Sequence, residues 1–239
     1  MDSNLLFYGF TTIFYLFCAV KILFNVKKKS VETPFWVLGV TALGVIAHFW
    51  VLQSGIFVAS HTLALAMGSI ISAICFISVL VLVFGSIYGQ GSSLLALVLI
   101  VAAFGVWAPM VLPSTVAPMI NPTPATKIHL ALGVVAYSFS FMSAVEMIKT
   151  RSASDLFQRF LNAAFIFLTL TLITGVMSIN GYFDMLIAGD KKSLMTFVAW
   201  VTFGLLVLAR KFLSWERAST ALLFWGGVCA QVVTIFSFV

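Results

Sequence analysis

Apolar runs of about twenty residues recur along this 239-residue chain, and they constrain its fold more than any other feature. A helix of that length spans the hydrocarbon core of a bilayer. Of the residues, 62% are hydrophobic and only 8% are charged, whereas roughly a quarter are charged in an ordinary soluble domain. The sequence therefore predicts an integral membrane protein.

Eight segments are long enough to cross the membrane, and we expect all of them to be helices, because a lone helix satisfies its own backbone hydrogen bonds in lipid. They are 4–25, 34–53, 62–87, 92–112, 126–148, 158–180, 191–213 and 219–239. The connections between them are too short for a folded soluble domain. The predicted fold is an all-α membrane protein with eight transmembrane helices and a single domain over residues 1–239.

Lysine and arginine are distributed unevenly between the two sets of connections. Ten of the thirteen flank the first, fifth and seventh connections, whereas Lys127, Lys191 and Lys192 lie on the opposite face. Cytoplasmic connections carry an excess of Lys and Arg, so both termini are expected on the outer side of the membrane. We interpret the net charge of +6 mainly as this orientation signal. It does not indicate nucleic-acid binding, because the sequence contains no basic run interleaved with aromatic residues.

The cysteines exclude two roles. Cys18, Cys75 and Cys229 are isolated, and each falls within an apolar span, where a free cysteine behaves as a small hydrophobic residue. There is no C-x-x-C-H motif for covalent attachment of a haem and no C-x-x-C motif for thiol reduction.

Five of the six prolines gather in 109–124, between the fourth and fifth spans. Proline lacks an N–H group and breaks helices, so this segment is predicted to be an extended outer loop. Two interpretations remain open for it. It is either a rigid surface connection or a lid over whatever the outer histidines bind.

Two histidines stand at nearly the same predicted depth near the outer face: His48 in the second span and His129 in the fifth. Ionisable side chains within a membrane are costly, so each is a candidate for a functional site. Small and polar residues share their helix faces, namely Thr41 and Gly44 with His48, and Gly133 with His129. Such faces mark helix contacts in membranes, which predicts that both histidines point into the bundle. The alternative is that both are interhelical hydrogen-bond partners, worth about 1 kcal/mol each.

A matched pair of histidines with no carboxylate nearby favours a haem, because neutral imidazole is a natural axial ligand of haem iron. Trp50 and Trp107 lie at the right level to wall the macrocycle. Lys127 and Lys192 are outer cations that can pair with the haem propionates. His61, at the mouth of the third span, is a weaker candidate.

Several segments resemble the cytochrome c assembly protein family, the superfamily of CcsA and CcmC, and within it the short eight-helix YpjD/HemX-like branch. The fifth span, K-I-H-L-A-L-G-V-V-A-Y-S-F-S-F (127–141), resembles the family's H-x7-Y stretch. Four further segments are similar to the short branch: A-H-F-W-V-L (47–52), L-T-L-I-T-G (170–175), K-S-L-M-T-F-V-A-W (192–200) and S-W-E-R (214–217).

The resemblance implies a bacterial inner-membrane protein that binds or passes on non-covalent haem b during cytochrome c biogenesis, together with other maturation proteins. It implies haem roles for His48 and His129, and it adds Lys192 and Trp200 as positions that match the family's seventh span.

Catalysis by the protein alone is not expected, because hydrolysis or group transfer needs a nucleophile with a base or a pair of carboxylates. Asp184 and Asp190 lie in the 181–190 loop, which we interpret as solvated. Two other classes stay open beside haem binding. One is a non-catalytic accessory or regulatory membrane subunit with packing histidines. The other is a small-solute transporter, which would need discontinuous helices with paired breaks in two halves.

Overall fold

The computed structural model describes residues 3–27, 34–56, 62–63, 66–87, 92–112, 119–150, 154–178, 191–212 and 217–236. Nearly all of these residues are helical, as predicted. Among the described residues, seven helices are long and apolar enough to cross a membrane, and an eighth apolar stretch, Thr220–Phe236, is shorter. The chain is therefore a multi-pass membrane protein in contact with lipid. His61 and the 181–190 loop with Asp184 and Asp190 lie outside the described residues.

The helices divide between two compact units, Met1–Ile120 and Asn121–Val239. The first unit contains α1 (Ser3–Lys27), α2 (Phe35–Ile56), β1 (Thr62–Leu63), α3 (Met67–Ile87), α4 (Ser92–Gly105), α5 (Ala108–Val111) and β2 (Met119–Ile120). The second contains α6 (Pro124–Thr150), α7 (Asp155–Ser178), α8 (Lys191–Phe212) and α9 (Arg217–Phe236). Asn121, where the second unit begins, has a φ of 50°, a backbone region that asparagine enters more readily than most residues.

In the first unit the four long helices close into a ring, since α1 packs against α2 and α4, and α3 packs against the same two helices. Its buried centre combines Tyr15, Val79 and Leu94 with several buried hydroxyl groups. The two short strands pair antiparallel, with Thr62 opposite Ile120 and Leu63 opposite Met119. This pairing explains why α3 begins at Met67, later than the predicted start at residue 62.

The predicted fourth span, 92–112, is divided into α4 and α5. Pro109 has no N–H group to continue the ladder of helical hydrogen bonds, and the Trp107 amide bonds to Phe104 O at 3.0 Å, three residues back. The resulting corner packs tightly on α3: a Cβ atom at Gly68 would lie 2.8 Å from the Cα of Pro109. In the described part of the second unit, α6, α7 and α8 are unbroken helices, so these residues show no counterpart of this break.

In the second unit α7 packs against α6 and α8, while α9 packs against α8. The four helices share one apolar core, formed by residues such as Phe157, Leu168, Phe203 and Phe224. Aromatic rings contribute to this core, with Phe203 and Phe224 stacked at 6.0 Å between centroids. Many of the remaining apolar side chains on the helices are exposed, as expected for surfaces that face lipid.

Candidate functional site

His48 lies at the centre of a hydrogen-bonded network that joins three helices of the first unit. Its Nδ1 is 3.2 Å from the Tyr15 hydroxyl on α1, and its Nε2 is 2.9 Å from the Ser72 hydroxyl on α3. Both His48 and Ser72 are completely buried. The predicted inward orientation of His48 is therefore confirmed, and both of its ring nitrogens have protein partners.

The local sequence of α2 makes room for this network. Gly44 lies one turn before His48 on the same face, and a Cβ atom there would come within 2.8 Å of Tyr15 Cε1. Glycine thus lets the Tyr15 ring lie against α2 with its hydroxyl near His48. The imidazole is also held by ring contacts, with centroids 5.8 Å from Tyr15 and 5.5 Å from Phe76. A buried imidazole with contacts on several sides has a fixed orientation.

A neutral imidazole has one N–H donor and one lone pair. One of its two hydroxyl partners must therefore donate a hydrogen bond to the ring while the other accepts one from it. In one arrangement Ser72 donates to Nε2, while Nδ1–H donates to the Tyr15 oxygen. In the other, Tyr15 donates to Nδ1 and Nε2–H donates to the Ser72 oxygen. In both arrangements each ring nitrogen has a hydrogen bond, and the two differ only in the positions of the protons.

His129 has a different environment, in the second unit. It lies near the start of α6 and is half-buried, and its Nδ1 is 2.9 Å from the backbone oxygen of Thr171 on α7. A carbonyl oxygen only accepts, so Nδ1 carries the proton and Nε2 carries the lone pair of the neutral ring. No described residue forms a hydrogen bond with that Nε2. The Thr174 hydroxyl lies 3.5 Å from Nδ1 on the same side of the ring.

The face of α6 that carries His129 packs against α7 within the second unit, which agrees with the predicted helix contact. Gly133 lies one turn later against the Thr171 side chain, where an added Cβ atom would meet Cγ2 at 3.6 Å. Ala136 and Ser140 follow on that face and are buried. Small residues here allow α6 and α7 to pack closely.

Trp50 and Trp107 pack on α1 rather than on His48. Trp50 lies 5.7 Å from Phe7 between ring centroids, and Phe7 precedes Tyr15 by eight residues, about 12 Å along a helix. Trp107 donates from Nε1 to the Thr12 hydroxyl at 2.8 Å. The same hydroxyl lies 2.9 Å from the backbone oxygen of Tyr8 in its own helix and 3.2 Å from that of Ala103, so these contacts join α1 to the end of α4.

Trp200 contacts α7 on a different side from His129. Its Nε1 donates to the Thr169 hydroxyl at 2.9 Å, whereas His129 bonds to Thr171. Two residues are about 200° apart around a helix, so the two side chains meet α7 on nearly opposite sides. Lys127 is exposed two residues before His129, and Lys192 is partly exposed in the first turn of α8.

The predicted site residues therefore divide between two environments. His48, Trp50 and Trp107 belong to the first unit, whereas His129, Lys127, Lys192 and Trp200 belong to the second. The sequence did not identify the partners that matter most to the two histidines, namely Tyr15, Ser72 and the carbonyl of Thr171. Ser72 gave a weak signal, because it lies on a face of small residues, but the identity of its partner depends on how the helices pack.

Comparison with known proteins adds no relative: no family model, no curated protein and no solved structure matches this chain. The resemblance to the cytochrome c assembly family therefore stays a prediction from the sequence segments quoted above, among them 127–141 and 47–52.

Proposed function

We propose that this protein binds haem b without a covalent bond near the outer face of the bacterial inner membrane, with His129 as an axial ligand of the iron. The observation that supports this is the hydrogen bond from His129 Nδ1 to the Thr171 carbonyl. Ligating histidines usually donate their other ring N–H to a carbonyl or carboxylate, which fixes the tautomer and the ring orientation. In His129 the nitrogen that remains for a ligand is Nε2.

Other residues near His129 fit such a ligand. Lys127 is exposed on the preceding turn and can pair with a propionate. Lys192 is a second outer cation, although it already interacts with other residues. Haem held in this way would be cargo that the protein keeps or passes on to other maturation proteins. In that role the protein supplies binding and orientation, and its own side chains need perform no chemistry.

Both ring nitrogens of His48 already have hydroxyl partners within the first unit. We therefore assign ligation of the iron to His129. The excess of Lys and Arg on the other face supports placing both termini, and His129, on the periplasmic side.

The test is an absorbance spectrum of the full-length protein purified from haem-replete cells, beside the variant His129→Gln. Glutamine can still donate to the Thr171 carbonyl, so helix packing is retained while the imidazole is lost. We expect a Soret band in the native protein. In His129→Gln we expect a loss of haem affinity greater than the roughly 10–100-fold that removing an outer-shell partner costs. Lys127→Gln should weaken binding less, since the propionates also interact with solvent.

Two results would contradict the proposal. The first is a folded native protein that is free of haem and takes up none when haem is added. The second is haem binding that survives unchanged in His129→Gln.

A second candidate function is that of a non-catalytic accessory or regulatory subunit, and the burial of His48 favours it. A histidine with both nitrogens bonded to hydroxyls of neighbouring helices already has a complete structural role. On this account the protein binds no haem, and a partner protein of the membrane co-purifies with it.

A further inference from the structure

The pairing of Ser72 with His48 has the geometry of an activated nucleophile. Most serine and threonine hydroxyls of these helices donate to the carbonyl four residues earlier, as Ser78 does to Ile74 O at 2.7 Å. The Ser72 hydroxyl instead lies 2.9 Å from His48 Nε2. A nucleophile and a base within hydrogen-bond reach, with the base oriented by a third group, is the diagnostic arrangement of nucleophilic catalysis.

Tyr15 supplies the third group. In the arrangement that activates Ser72, His48 Nδ1–H donates to the Tyr15 oxygen, which leaves the lone pair of Nε2 directed at the serine. The ring contacts with Tyr15 and Phe76 hold the imidazole in that orientation. Tyr15 is thus a positioning residue, and it acts on the serine only through His48.

The surroundings indicate what such a nucleophile would meet. Phe76, which packs on His48, in turn packs on Phe49 at 6.1 Å between centroids. Phe49 is 53% exposed on a helix whose outer surface faces lipid. These contacts lead from His48 through two aromatic rings to the lipid-facing surface, so a substrate that arrives along them must dissolve in lipid.

We propose that Ser72 and His48 form an intramembrane nucleophile–base pair that transfers acyl groups from esters dissolved in the lipid. The Ser72 oxygen attacks the ester carbonyl carbon, and its proton passes to His48 Nε2. The bond from that carbon to the leaving alcohol then breaks, and His48 returns the proton to the alcohol. Water or a lipid alcohol afterwards takes the acyl group from Ser72 by the same steps in reverse. Ser69, three residues earlier on the same face of α3 and also buried, supplies a hydroxyl that can donate to the developing oxyanion.

The experiment uses a long-chain alkyl fluorophosphonate, which a serine attacks at phosphorus with loss of fluoride, on the full-length protein in lipid vesicles. We expect covalent labelling that mass spectrometry assigns to Ser72. Labelling should be lost in Ser72→Ala and slowed about 10²–10⁴-fold in His48→Gln, the range typical of a general base. Ser78→Ala is the matched control, because it removes a hydroxyl of the same helix that bonds to its own backbone.

Two further variants test the neighbours of the pair. Tyr15→Phe should slow labelling while the protein stays folded, because the tautomer of His48 is then no longer fixed. Phe49→Ala should accelerate labelling, because it opens the path from the lipid.

The proposal is overturned if the folded native protein is not labelled. It is also overturned if the label is found on a residue other than Ser72, or if His48→Gln is labelled at the native rate. Because the site of labelling is read from the native protein, the result stands even if Ser72→Ala fails to fold. None of these outcomes depends on whether haem binds at His129.

Discussion

Replacing the members of the His48 network one at a time should reveal how strongly they hold the first unit together. Tyr15→Phe and Ser72→Ala each remove one interhelical hydrogen bond, and such bonds in a membrane contribute about 0.6 kcal/mol on average and at most about 1.7. His48→Ala removes both bonds and leaves a cavity at a position with no exposed surface. We therefore expect about 1 kcal/mol of destabilisation for each hydroxyl and about 2–4 kcal/mol for the imidazole.

The assay is reversible unfolding in mixed detergent and lipid micelles, followed by the loss of helical circular dichroism. Double-mutant cycles separate the pairwise terms, because each single variant removes one partner of a bond. The Tyr15–His48 and His48–Ser72 pairs should each show a coupling energy of about 0.6–1.7 kcal/mol. Tyr15 and Ser72 should also be coupled to each other, since both depend on the one proton of the neutral ring, and this coupling should vanish in the His48→Ala background.

Additive effects would refute this reasoning. If both cycles give coupling below about 0.3 kcal/mol, which is within the error of additivity, the hydroxyls do not stabilise the fold through His48. Ser140→Ala is the control. Its hydroxyl is buried and bonds to Ala136 O at 3.0 Å within its own helix, so it should not be coupled to His48.

Three more predictions concern stability and use the same assay. Gly68→Ala should lower the free energy of unfolding by about 1–3 kcal/mol, because the added methyl group overpacks against the corner between α4 and α5. Gly85→Ala on the same helix is the control. An added Cβ atom there meets nothing within 4 Å, so stability should be nearly unchanged. Glu146→Ala should cost about 1–3 kcal/mol, because the carboxylate is buried and accepts from a serine hydroxyl at 3.0 Å. Lys149→Ala should also destabilise the protein, because it leaves the buried Glu146 carboxylate without its ion-pair partner, and an unchanged stability would contradict this role of the pair. Trp107→Phe should cost about 1 kcal/mol, because the ring stays but its hydrogen bond to α1 is lost.

The membrane-spanning helices could be read from the sequence because lipid imposes a simple rule. A span needs about twenty apolar residues, and the backbone must bond to itself. That rule placed α1, α2 and α8 within a few residues of their observed bounds. It failed at residues 62–63, which form a short strand instead of the start of α3, because that pairing depends on a partner far along the chain, at 119–120. It also missed the break near Trp107, where Pro109 interrupts a continuous apolar run.

The composition of the chain and the periodicity of its small residues were enough to predict that His48 and His129 point into helix contacts. Sequence alone could not predict what each histidine meets there. Whether an imidazole faces two hydroxyls, as His48 does, or one backbone carbonyl, as His129 does, depends on the rotation and depth of the neighbouring helices. Those are properties of packing between segments far apart in sequence, because a helix fixes its own hydrogen bonds locally but not which of its faces meets which neighbour. The sequence therefore determined a membrane-spanning helical protein with inward histidines, and only the tertiary structure distinguished the enclosed His48 from the half-buried His129.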